Sequence, residues 1–375
     1  MVGEKCDVLR KGDHQGTDMI IRVRLRSGRE IFGLATKNVY GGEWDVGPTW
    51  NYLVTGEKPF LVDAGRRGLG LHLLEMIDAT GFNGKKIETV VLSHGHEDHD
   101  GGLFEFVNAT GARIMAHKIY ERLIQVYPSD APSPDKRAFP ASCWHCPMSE
   151  SFSTRNCLDY HKERIGFSVL DVEDSNNRLG DAISVTHVPG HAPDAIAMVI
   201  DNEAMLVGDT ILPDITPHPS REEFFSWTGP VLSPLYTDAE QLYGLRTYMR
   251  SLKKLGEIGE ASSIDQFWPA HRLYYNDKWN PTDLHDRIDE MRDHHIRRCA
   301  DILGIVRERP KTVREICREH FPENLLKGYG INMAMNEVLS HCELMERSRD
   351  VRMGEDGMIS ATGREQFESL INSLM

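Results

Sequence analysis

Between His94 and Asp100 the chain reads His94-Gly95-His96-Glu97-Asp98-His99-Asp100, which places three imidazoles and three carboxylates in one short run. A surface loop that happens to be rich in histidine is the ordinary alternative. Spaced His/Asp clusters of this kind are a metal-site signature, and further candidates follow downstream. While the run is extended, its two-residue period points His94 and His96 the same way, and the turn that follows can swing Asp98 and His99 to a neighbouring point. One segment can then supply ligands to two adjacent ions.

Such a run needs a rigid element to hold it. Ile87-Glu88-Thr89-Val90-Val91-Leu92 is short, apolar and β-branched, so a buried strand is expected to deliver the histidines at its C-terminal end. The same arrangement recurs. Val185-Thr186-His187-Val188 leads to Pro189-Gly190-His191, Met205-Leu206-Val207 leads to Gly208-Asp209-Thr210, and Phe267-Trp268 leads to Pro269-Ala270-His271-Arg272. Each is a weak signal alone, and four strand ends with metal-competent side chains are a strong one together. Asp63, which closes Phe60-Leu61-Val62, is either a turn residue or a carboxylate that orients a metal-bound histidine, and the second is the expectation.

Upstream, Met19–Leu25 and Glu30–Leu34 around Ser27-Gly28 read as a hairpin, Trp50–Val54 as a further strand, and Leu69–Ala79 as an amphipathic helix. Downstream, Phe104–Asn108 and Tyr120–Val126 read as helices around a strand at Ala112–Ala116, an α/β alternation. Strands are expected at Phe167–Leu170, Ile183–Val188, Ala195–Ile200 and Ala204–Val207, and a helix over 239–255. Residues 127–164 break the pattern with Pro128, Pro132, Pro134, Pro140 and Pro147 among aromatic side chains, as a lid-like insertion would. Cys143, Cys146, Cys157 and His161 lie within it. They could hold a structural zinc, but only the first pair has a usual zinc spacing, so unlinked residues in a packed loop are expected.

From Pro281 the pattern becomes helical. Helices over 283–306, 312–320, 332–346 and 363–374, with a hairpin at Val351–Met353 and Met358–Ser360, suggest a separate winged-helix unit. That stretch carries about 18 acidic and about 14 basic residues, so it lacks the basic footprint of a nucleic-acid reader. A net charge of −14 over 375 residues likewise argues against gripping a phosphate backbone. The N-terminal residues lack the apolar core of a signal peptide, and no run approaches the roughly 18 apolar residues of a membrane span. A cytoplasmic protein with no membrane partner is expected, and its seven cysteines are expected to be reduced.

His94-x-His96-x-Asp98-His99, Pro189-Gly190-His191, Gly208-Asp209-Thr210 and the late His271 together resemble the metallo-β-lactamase-fold hydrolase superfamily over roughly residues 18–275. The resemblance implies an α/β fold, an αββα sandwich over residues 1–280 with the metals at one edge, followed by a small winged-helix domain over 281–375. It further implies that His94, His96 and His191 hold one ion, that Asp98, His99 and His271 hold the other, and that Asp209 bridges them. The tail resembles that of the β-lactamase-like-2, glyoxalase II-like branch, which contains thioesterases and an endoribonuclease. Two positions depart from the usual pattern. Arg272 follows the last histidine where the family has glycine, and Asp194 stands where glycine or serine is common.

Five histidines and two aspartates without a thiolate suit zinc best and leave iron or manganese open, so two zinc ions are the expected cofactor. Two cations sharing a water lower its pKa toward about 7, which makes hydroxide the nucleophile, with Asp98 orienting it. The expected function is hydrolysis of a thioester or ester, such as an acyl-CoA, acyl-carrier or glutathione conjugate. Arg272 is expected either to contact the substrate's anionic group or to form an ion pair with a nearby carboxylate. A metal-dependent phosphodiesterase or endoribonuclease is the alternative, since the same nucleophile serves both. A nucleic-acid-binding protein with a vestigial catalytic unit is disfavoured by seven intact ligand positions. A mono-iron oxygenase is disfavoured because that branch uses fewer ligands. A small acyl conjugate is the expected partner, and a homodimer stays open.

Overall fold

A computed structural model describes residues 6–38, 44–125, 154–264, 266–328 and 330–375. Its first sheet has eight strands in sequence order: β1 (Cys6–Arg10), β2 (Ile20–Arg24), β3 (Glu30–Thr36), β4 (Thr49–Val54), β5 (Phe60–Val62), β6 (Thr89–Val91), β7 (Arg113–Ala116) and β8 (Val169–Asp171). The strands pair antiparallel as far as β5 and parallel from β5 to β8. Between them run α1 (Gly70–Ala79), a single turn α2 (Glu97–Asp100), α3 (Leu103–Thr110), α4 (Tyr120–Leu123) and α5 (Thr154–Arg164). A second sheet orders β9 (Ile183–His187), β10 (Ile196–Ile200), β11 (Ala204–Gly208) and β12 (Phe267–Pro269) as β12-β11-β10-β9.

Strand alternation explains the layering. Ile21 and Val23 of β2, with Ile196, Met198 and Ile200 of β10, meet in a core between the sheets. The alternate side chains turn outward. Ile20, Phe32 and Leu34 pack under Leu73, Ile77, Leu103 and Phe106 of α1 and α3. Ala197 and Val199 pack under Tyr248, Met249 and Leu252. Each fully buried Leu, Ile or Phe contributes about 1.5–3 kcal/mol. The period-two pattern thus covers both faces of both sheets and produces helix, sheet, sheet and helix in that order.

After α6 (Phe225–Leu232), α7 spans Leu245–Ser262. The expected helix over 239–255 is therefore displaced. Asp238 caps only a single 3₁₀ turn, and Gly244 breaks the chain at φ +92° before the helix starts. At its other end the helix continues through Gly256 and Gly259, because a Cβ at Gly259 would meet Leu284 Cδ2 at 2.4 Å. Here glycine permits a close helix crossing, which outweighs its poor helix propensity.

The short hairpin β13 (Tyr274–Tyr275) and β14 (Lys278–Trp279) leads to α8 (Leu284–Glu308), β15 (Lys311–Thr312), α9 (Val313–His320), α10 (Gly330–Arg347), β16 (Val351–Met353), β17 (Met358–Ala361) and α11 (Phe367–Leu374). The last three strands form a sheet ordered β15-β17-β16. Packing is continuous across Pro281. One cluster runs from Met205 and Val207 through Leu252 and Leu255 to Ile288, Met291, Val338 and Leu339.

The stretch over 127–164 differs from its expectation at its end, where residues 154–164 form α5 rather than irregular chain. Arg164 is anchored there, its Nη1 3.1 Å from the buried Asp100 Oδ2. Cys143, Cys146 and the side chain of Cys157 lie outside the described residues. No described helix is long and apolar enough to cross a membrane.

Candidate metal centre

The expected donors gather at one edge of the sandwich. Parallel β5 and β6 end at Asp63 and at the His94 run, while parallel β11 and β12 end at Asp209 and His271. His191 sits in the turn from β9 to β10. Main-chain bonds lock the four ends together: Ile196 N donates to Ser93 O at 2.8 Å, Ala270 N to Gly208 O at 3.0 Å, and Ala64 N to His99 O at 2.7 Å. Loops held at both ends by central strands keep their side chains in place.

Asp209 lies at the focus. Its Oδ2 is 4.0 Å from His94 Nε2, 3.5 Å from His99 Nε2 and 3.6 Å from His191 Nε2, and its Oδ1 is 3.4 Å from His271 Nε2. Asp98 Oδ2 lies 3.2 Å from His271 Nε2, and His96 Nδ1 lies 3.1 Å from His94 Nε2. Three groups each gather donor atoms within 4.8 Å of one another: His94, His96 and His191; Asp98, His99 and His271; and His94, His99 and Asp209. The first two groups contain the three-residue sets expected for the two ions, and the third joins them.

The far nitrogen of each key ring is already committed. His191 Nδ1 donates to His218 O at 2.9 Å, His271 Nδ1 to Pro48 O at 3.1 Å, and His99 Nδ1 to Asp63 Oδ2 at 2.9 Å. A ring that donates from Nδ1 presents Nε2 to the centre, which is how metal-binding histidines are usually oriented. Asp63 is fixed in turn, accepting from Ser93 N at 2.7 Å and Ser93 Oγ at 2.8 Å. The buried Nε2 atoms of His99, His191 and His271 make no hydrogen bond of normal geometry. Buried polar atoms are rarely left so, and a divalent cation would satisfy all three at once.

Electrostatics divides the rings into two sets. Burial lowers His94, His96 (to about 3) and His191, so they are neutral and offer lone pairs. Burial also acts against a charge on His99 and His271, but Asp98 and Asp209 outweigh it, raising His99 well above its ordinary value and His271 to about 9. Asp209 is likewise held ionised, against burial, by His271 and His99. Without metal, protons on His99 and His271 balance the two carboxylates. Cation binding must release them, so affinity falls with acid.

A sequence pattern for the metallo-beta-lactamase superfamily matches residues 44–254, which include six of the seven donors. The chain belongs to the metallo-beta-lactamase superfamily. It is 25% identical over 324 residues to "Probable metallo-hydrolase YqjP" of Bacillus subtilis (strain 168), covering 80% of this chain and 88% of that protein. It is 22% identical over 317 residues to "Beta-lactamase-like protein 2 homolog" of Drosophila melanogaster, covering 82% and 85%. The solved metallo-beta-lactamase family protein TTHA1429 from Thermus thermophilus superposes with a TM-score of 0.63 at 20% identity, covering 88% of this chain and 98% of that one. A beta-lactamase domain protein from Burkholderia ambifaria gives 0.56 at 18% identity, covering 92% and 91%. At these coverages both likenesses reach past Pro281 into the C-terminal helices.

Beyond the matched residues, Arg272 occupies an unusual backbone position at φ +64°. Its guanidinium donates from Nη2 to Asp45 O at 2.5 Å, meets Asp214 Oδ2 at 3.4 Å and stacks 3.8 Å from the Tyr275 ring centroid. The approach to Asp214 is an ion pair of the kind expected for Arg272. Sequence reasoning missed Asn38, whose Nδ2 donates to Asp98 Oδ2 at 2.8 Å. A lone asparagine in a loop carries no signal of its own. It also missed Tyr120, whose hydroxyl donates to Asp100 at 2.8 Å beneath the histidine turn.

Proposed function

We propose that this superfamily member is a two-metal hydrolase of thioesters or esters, acting on acyl-CoA, acyl-carrier or glutathione conjugates, with zinc at both positions. The observation that carries the reading is the convergence of His94, His96, Asp98, His99, His191, Asp209 and His271 on one buried focus, with the outer nitrogens of His99, His191 and His271 tied down. Bound divalent cations supply polarisation of the attacked carbonyl and lower the pKa of water toward about 7. Asp98, steadied by Asn38 and His271, directs the attacking water and takes its proton. Water adds to the carbonyl carbon, the C–S or C–O bond breaks, and the proton held by Asp98 passes to the departing sulfur or oxygen. Asp63 and Ser93 keep the His99 ring in register. Arg272 positions the segment bearing Asp45 and Pro48, and Pro48 O in turn orients His271.

The order helix, strand, helix, helix and hairpin from α8 to β17 supports a winged-helix reading of the C-terminal unit. Its excess of acidic side chains favours a small substrate over RNA. The name of the Bacillus subtilis relative is consistent with hydrolysis.

The test is a screen of zinc-loaded and metal-stripped protein against thioesters, phosphodiesters and RNA at two salt concentrations. Metal-dependent thioester or ester turnover that changes only mildly with salt is expected. RNA cleavage whose affinity falls by orders of magnitude between about 50 and 200 mM salt, with no thioester turnover, would instead establish the endoribonuclease.

A further inference from the structure

A second group of imidazoles and one carboxylate lies where α8 and α10 meet the segment after Asp209. Helix α8 contributes His294 and His295, α10 contributes Glu337 and His341, and the segment contributes His218. Donor atoms of His294, His295 and Glu337 all lie within 4.8 Å of one another. Glu337 is 5% exposed and His295 is fully buried.

Hydrogen bonding fixes the tautomers. His341 Nδ1 donates to the main-chain oxygen of Glu337 at 2.6 Å, so the Nε2 of this neutral ring accepts, and it accepts from His295 Nδ1 at 2.9 Å. His295 Nε2 is left with its lone pair, buried and without a hydrogen-bond partner among the described residues. That is the condition of His191 at the first centre, with Nδ1 committed outward and Nε2 bare.

The carboxylate shows the complementary feature. Glu337 Oε1 is 3.8 Å from His294 Nε2, 3.8 Å from Arg298 Nη1 and 3.9 Å from His341 Nδ1, while Oε2 is 3.2 Å from His218 Nδ1 at poor hydrogen-bond geometry. These separations are mostly too long for hydrogen bonds. Of these, the 3.8 Å between Glu337 Oε1 and His294 Nε2 joins two candidate ligands, and it would close by about 0.5 Å to reach the roughly 3.3 Å between two ligands that each sit about 2.0 Å from one tetrahedral ion.

We propose that His294, His295 and Glu337 form a third divalent-cation site, of the imidazole-and-carboxylate class that suits zinc, with His218 at its rim. Only Glu337 brings a negative charge, and Arg298 lies beside it, stacked 4.8 Å from the Phe321 ring centroid. An incoming cation takes over the counter-charge role and the guanidinium shifts toward that ring. The ion would pin α8 and α10 against His218, whose main-chain oxygen orients His191, and so make the first centre depend on the C-terminal unit. The proposal stands on its own donors, independently of the substrate assigned above.

The experiment is elemental analysis of zinc-loaded full-length protein freed of excess metal. About three ions per chain are expected in the wild type and about two in His294→Ala and Glu337→Gln. The His294 side chain is 29% exposed, so its removal leaves the buried core intact and decides the matter if Glu337→Gln does not fold. Equal ion content in wild type and His294→Ala would overturn the proposal and leave a purely hydrogen-bonded network. Failure of the first centre reads differently: Asp209→Ala would then match wild type, while His294→Ala would still lose an ion.

Discussion

Among single residues, Asp209 and Asp63 make opposite uses of a carboxylate. Asp209 faces four histidines and belongs to both halves of the first centre, so Asp209→Ala should reduce that centre from two ions to about one or less, as elemental analysis would read. Asp63 reaches the focus only through the His99 ring, and Asp63→Asn keeps its size while weakening its hold on that ring. Metal affinity is expected to drop about 10–100-fold, measured by competition with a chelator, with the fold intact by circular dichroism. An unchanged affinity would return Asp63 to the role of a plain turn residue.

Among the elements, the turn bearing His191 depends on backbone proximity. Gly190 sits at φ +128°, and a Cβ there would lie 2.4 Å from Tyr248 Cα of α7, an atom that cannot move without shifting the helix. Gly190→Ala should therefore cost about 1–3 kcal/mol or more and loosen the His191 ion, seen as a lower Tm and faster loss of metal to a chelator. Helix α9 offers a pH-dependent counterpart. Thr312 and Glu315 form a capping box, and the Thr312 backbone N–H, followed by Arg309, lowers Glu315 to about 2. A depressed folded-state pKa means stabilisation that is complete above the ordinary value of 4.5 and is lost as pH falls toward 2. Replacing Glu315 with Gln should flatten acid unfolding in that window, and an unchanged acid limb would count against the cap.

For the whole molecule, the continuous core across Pro281 predicts one cooperative transition rather than two. Leu284, Ile288 and Met291 of α8 cover α7, and Trp44 Nε1 donates to Leu325 O at 2.7 Å across the same junction. A fragment ending at residue 280 should lose cooperative unfolding and aggregate, because it exposes that apolar face. If the fragment keeps its metal and the Tm of the full chain, the two units are independent and the coupling of His191 to the C-terminal helices fails with them.

Local chemistry made much of this legible in the sequence. Alternating apolar residues marked β2, β3, β10 and β11 to within a residue or two, because period two together with burial on both faces leaves few other conformations. The donors were legible because each follows a strand and few alternatives explain so many imidazoles in such places. What the sequence left open was decided by contacts between distant segments. Asn38 meets Asp98 across 60 positions, and Arg272 turns toward Asp45 across 227, so neither leaves a local pattern. Helix α7 passes through two glycines because α8 packs against it. The second histidine cluster has the same origin. His294, His295 and Glu337 are ordinary residues of two amphipathic helices in the sequence, and only the packing of those helices brings their donor atoms within 4.8 Å of one another.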